Sequence, residues 1–133
     1  MTDFLTPTLT ALLARLAADS GLQALLGTPA RVVDQMATAP AFPYLRLVNV
    51  EQRDASLKGQ GACTLVITLQ SLSRSRHGDE TRRIIAALRD CLHDATFAVS
   101  GATLVRCQED FSAIHADHDV MLGTARYRVV VAV

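Results

Sequence analysis

The chain has 133 residues, enough to bury one hydrophobic core, and its thirteen basic residues balance thirteen acidic ones. That balance excludes the basic excess of a domain that grips nucleic acid through many phosphates, and no apolar run approaches the roughly 20 residues of a membrane-spanning helix. Three widely spaced cysteines, Cys63, Cys91 and Cys107, form neither a disulfide framework nor a zinc signature and read as buried thiols of a protein folded in a reducing cytosol.

The opening MTDFLTPTLT has neither the basic region nor the unbroken apolar segment of a secretory signal. Thr6-Pro7 reads as a helix start, Thr as N-cap and Pro at the first helical position. Leu9, Leu12, Leu13 and Leu16 follow as one apolar stripe. Asp19-Ser20-Gly21 breaks the helix, and Leu22, Leu25 and Leu26 make a short second turn that Gly27 closes. Residues 31–34 read as a short edge strand, and the Ala/Pro-rich stretch 37–43 cannot join a central ladder.

Residues 44–51 (YLRLVNVE) form a strand, and a polar, glycine-bearing loop over residues 52–62 follows, too long for a tight turn. The returning strand, residues 63–72, sets Leu65, Ile67 and Leu69 on one face and Thr64, Thr68 and Gln70 on the other. After SLSRSRHGDE comes an amphipathic helix with Ile84, Ile85, Leu88, Cys91 and Leu92 on its apolar face, and Asp79 and Glu80 at its positive end. Ser100-Gly101 turns into a strand over residues 103–110 with Val105 and Cys107 inward. Residues 111–121 read as a connecting loop, and in the last strand, residues 123–133, Tyr127, Val129, Val131 and Val133 share a face. The order α-β-β-β-α-β-β over residues 1–133 is one α+β domain, an antiparallel (mixed) β-sheet with two main helices packed on one face.

Reactive constellations are scarce. The sequence has no GxSxG, no phosphate-cradling glycine loop, no CxxC and no HExxH. His115, Asp117, His118 and Asp119 offer metal-ligand types, but four such groups within five residues of one loop do not converge tetrahedrally. Ser71, Ser73 and Ser75 near His77 lack a third group to orient the imidazole. No catalytic, cofactor or metal site is therefore expected. Arg74, Arg76, Arg82 and Arg83 form the densest basic patch, and Asp79 and Glu80 interrupt it, which fits a mixed-charge protein contact better than a phosphate groove. Twelve of the thirteen basic residues are Arg, suited to pairing with carboxylates at interfaces.

Several segments in this order, LTALLARLAADSGLQALLG, RVVD, APAFPYLRL, TLVITLQSLSRSRHGDETRRIIAALRDCLHDA, VSGATLVRCQED and TARYRVVVAV, resemble the tail completion, or tail terminator, family of long-tailed bacteriophages and gene transfer agents. Leu72 stands where that family often has an aromatic residue, and HADHDVMLG replaces its D-x-D-G turn. The resemblance implies a non-enzymatic assembly protein of a virion or gene transfer agent particle, made in the bacterial cytoplasm. It implies a ring, sixfold in such proteins, at the head-proximal end of the tail. Its partners would be copies of itself, the major tail tube protein, a head-completion or connector protein and the tape-measure protein, with no sequence-specific nucleic acid and no membrane. Expected contacts are Arg53, Asp54 and Lys58 in the long loop, and Arg74, Arg76 and His77 at the corner before the helix. A head-closure component and a small metal- or ligand-binding module are the alternatives.

Overall fold

The computed structural model describes residues 3–34, 41–56, 60–75 and 77–133. Helices α1 (Leu5–Ala18) and α2 (Ser20–Leu26) precede β1 (Val32–Val33), β2 (Tyr44–Asp54) and β3 (Ala62–Ser73). Helix α3 (Asp79–Leu92) then leads to β4 (Thr103–Asp117) and β5 (Val120–Ala132). The sheet order is β1-β2-β3-β5-β4, with β1 parallel to β2 and all other neighbours antiparallel. The class is the expected α+β, and the second turn of the N-terminal region is a helix of its own.

Local chemistry explains the boundaries. Helix α1 starts before the expected Thr6 cap, because the Asp3 carboxylate accepts from the backbone N–H of Leu5 (3.0 Å) and Thr6 (3.1 Å). Pro7 then sits inside the first turn, where its missing N–H has no intrahelical partner to lose. Asp19 caps α2 by accepting from Leu22 N at 3.0 Å, and Gly27, at φ 91°, ends it in a conformation that side chains disfavour.

The core lies between the helices and one sheet face. Leu12, Leu16, Leu22, Leu26, Ile84, Leu88 and Leu92 meet Leu45, Leu47, Leu65, Ile67, Leu69, Tyr127, Val129 and Val131. Each such aliphatic side chain contributes about 1.5–3 kcal/mol on leaving water. Cys63, Cys91 and Cys107 are all buried in this layer as free thiols.

The closing strands depart further from expectation. The last two strands are longer than the pattern indicated: residues 111–117 continue β4, residues 120–122 begin β5, and His118 and Asp119 alone make the turn, His118 at φ 55°. Val105 points outward, 56% exposed, because a bulge between Leu104 and Arg106 resets the alternation and brings Leu104 and Cys107 to the core side. Val133 lies beyond the strand and is 74% exposed, unlike Tyr127, Val129 and Val131.

Candidate interaction surfaces

Strands β2 and β3 carry the expected contact residues to opposite ends of the sheet. At one end Arg53 and Asp54 belong to β2, paired with Thr64 and Cys63, and not to a loop as the sequence pattern indicated. The strand reaches that far because β3 offers it an unbroken partner. Arg53 lies 3.5 Å from Glu51, and Asp54 accepts from Ser56 N at 2.9 Å; hydrogen bonding by the Ser56 side chain first, and then by that backbone N–H, holds the Asp54 carboxyl below the usual carboxylate range. A shallow hollow of about 580 Å³ opens here among Phe4, Gln52, Asp54, Ser56, Gly61, Ala62 and Cys63. Lys58 and Arg76 lie outside the described residues.

At the other end, the corner between β3 and α3 meets the β4–β5 turn. Ser73 Oγ bonds Glu80 Oε1 at 2.5 Å and accepts from Ser75 N at 3.1 Å, tying the corner to the first turn of α3. The Arg74 guanidinium lies 4.4 Å over the Phe42 ring, which meets Tyr44 edge-on at 5.3 Å. His77 is exposed. Tyr44, Leu72 and Leu122, with Val33, Phe42 and Val120, form a small apolar cluster apart from the main core. An open groove of about 980 Å³ runs beside it between Arg46 and Arg74 on one flank and Asp117, His118 and Asp119 on the other. Leu72, the residue that stands in place of an aromatic, thus lines this groove.

The His/Asp run is dispersed by the hairpin. His115 and Asp117 sit within β4, and His118 approaches Asp117 only to 3.7 Å on an exposed turn. Among the described residues no group of three or more His, Cys, Asp and Glu converges as a metal site. Burial pushes the Cys91 and Cys107 thiols up to about 11, far from a thiolate nucleophile's range.

One surface escaped the sequence reading. Cross-strand register places Arg46, Arg53, Arg106, Arg126 and Arg128 on the sheet face that no helix covers among the described residues, beside Thr64, Thr68, Gln70 and Thr124. Arg126 stacks 5.3 Å over Phe111, Arg128 reaches Asp110 at 3.8 Å, and Arg46 bonds the Gln70 amide. The signal was present in ARYRV, where both arginines alternate with buried Tyr127 and Val129. Arg and aromatic side chains without Lys are the composition of protein interfaces.

No curated protein matches the sequence. A chain in a solved structure described as the virion of a native gene transfer agent particle has the same fold, with a TM-score of 0.88 at 21% identity over 100% of both chains. The profile of the family described as tail completion protein gp17 matches residues 10–133. With every element from α2 to β5, the corner and the closing hairpin inside that span, the chain belongs to the tail completion family, structural components of phage-like tails.

Proposed function

We propose that this protein forms a ring, sixfold as the resemblance implies, at the head-proximal end of a tail tube. There it stops tube polymerisation and supplies the surface that joins the tail to a head. The observation that carries this reading is the placement of two unlike surfaces at the two ends of the same strands. Strand β3 has 12 residues, so the Arg53–Asp54 end and the Arg74 groove stand roughly 35–40 Å apart on one continuous sheet. A tube grows because each ring offers the next the surface it has just used, a heterologous contact that does not close along the axis. A subunit with one end complementary to the tube and a different chemistry at the other ends that repetition.

In this reading Arg53, Asp54 and Lys58 face the last tube ring, and Arg74, Arg76 and His77 face the lateral or upper surface where a head-completion or connector protein docks. The tape-measure protein is a further partner inside the tail. The virion or gene transfer agent described for the structurally similar chain supports the location. Electron microscopy of particles made without this chain tests the reading. Overlong tubes are the expected result, whereas tails of normal length that stay unjoined would assign the chain to head closure. Reversing Arg74 and Arg76 to Glu should leave the protomer folded and lower the yield of joined particles about tenfold or more. Normal joining would remove the corner from the contact.

A further inference from the structure

We infer that copies of this chain join edge to edge, β4 of one to β2 of the next, in one continuous antiparallel sheet; the inference rests on the ring reading above. Strand β4 ends the sheet. The middle of its outer edge is closed by the turn after α3, where Asp94 N donates to Cys107 O at 2.8 Å and Glu109 N donates to His93 Nδ1 at 3.0 Å. Beyond the bulge at Glu109/Phe111, residues 111–117 pair only with β5 among the described residues. This stretch, FSAIHAD, contains no Lys and no Pro, and leaves Phe111 46% and Ile114 37% exposed. Residues 111–116 carry no Asp, Glu, Lys, Arg or Pro and no register shift, so between the bulge and Asp117 this edge lacks the devices by which sheet edges refuse a neighbour.

The opposite edge is complementary. Strand β1 covers β2 only at Leu45 and Arg46, and residues 49–54 have β3 as their one strand neighbour among the described residues. Strands β2, β3, β5 and β4 alternate in direction, so the next copy's β2 beside β4 continues the antiparallel order without a break.

The two free edges are not level, and the offset decides the geometry. Gln52 lies level with Leu65 on β3, and Ile114 lies level with Gly123 and hence Ser71. That difference is about six residues, or ~20 Å, and it accrues over four strand spacings that total roughly 19 Å. The resulting tilt of about 45° lies at the edge of the 35–45° at which a sheet closes on itself. A flat ring would set β1 of the incoming copy against β4. With the stagger, β1 passes beyond the His118–Asp119 turn, and the two caps stay clear of the joint. Gln52 then meets Ile114 on the helix side, and Glu51 meets His115 on the open side, with no like charges opposed.

The test is cross-linking of the whole chain, purified alone and with tube subunits. Oxidised Gln52→Cys/Ile114→Cys protein should give a covalent ladder ending at the closed ring, and neither single variant should. Ile114→Lys places a charge on the joint at an already exposed position. It should weaken ring formation about tenfold or more in sedimentation, with circular dichroism and thermal midpoint unchanged. Rings that form equally well with Ile114→Lys, or dimers from Ile114→Cys alone, would overturn the edge joint and leave the ring standing. Wild-type protein that makes no ring, alone or on tubes, would overturn the ring reading itself.

Discussion

The two faces of the central sheet were built by different rules. On the helix side Cys63, Leu65, Ile67 and Leu69 of β3 stand beside Val131, Val129, Tyr127 and Ala125 of β5, and all are buried. On the open side the same strands carry Thr64, Thr68, Gln70, Arg126 and Arg128. Alternation along one strand thus separates cohesion from recognition by a single residue step. The contrast teaches that a neutral composition can conceal a specialised surface. Arginines spread along the sequence are gathered by register onto one face.

The largest effect should come from the buried side. Leu69→Ala removes a fully buried side chain between β3 and the helices, and should cost about 2–5 kcal/mol in denaturant unfolding. Thr68→Ala, one step along the strand, should cost well under half as much. Equal losses would erase the distinction between the faces.

That side was also the legible one. Period-two alternation in residues 63–72 and the apolar stripe of α3 specify their own burial, so the core and the order of elements could be read directly. The closing hairpin could not. Residues 111–121 lack the apolar alternation of a half-buried strand, because past Glu109 most of β4 is exposed and, among the described residues, β5 is the one strand that pairs with it. Bulges hid the direction of Val105, since one inserted residue changes phase without changing composition. The groove was legible only in halves. Arg74 and the His118 turn each stand out in the sequence, but sequence spacing carries no sign that they meet.

Alkaline pH probes the same core. The Cys91 and Cys107 thiols, pushed up to about 11 by burial, stay neutral in the fold after the unfolded chain has begun to ionise. A raised folded pKa contributes stability that is fully present below the unfolded value and is lost as pH rises through the folded one. Stability should therefore fall between pH about 9 and 11, by on the order of 2–3 kcal/mol per thiol. A Cys91→Ala/Cys107→Ala protein should show a shallower decline in unfolding free energy over that window.

Two smaller effects test how the layers meet. A Cβ at Gly123 would lie 2.6 Å from Ser71 Oγ and 2.8 Å from Thr81 Cγ2, so Gly123→Ala crowds α3 against the sheet. A loss of about 1–3 kcal/mol is expected in thermal unfolding. Asp19→Ala removes the α2 cap and should cost about 1 kcal/mol by the same measurement.

The smallest expected effect on folding falls on the open side, at Arg53. Its side chain is 70% exposed, and its contact with Glu51 spans 3.5 Å across solvent. Exposed pairs of this kind contribute ~0.2–1 kcal/mol at most, so Arg53→Ala should shift unfolding by less than about 1 kcal/mol. If the open side and its ends serve recognition, the same substitution should weaken capture of tube ends several-fold in a pull-down with assembled tubes. A change confined to stability would place Arg53 with the scaffold. A change confined to capture would show the two faces acting separately, because Thr64, its cross-strand partner, holds the backbone in register without the guanidinium.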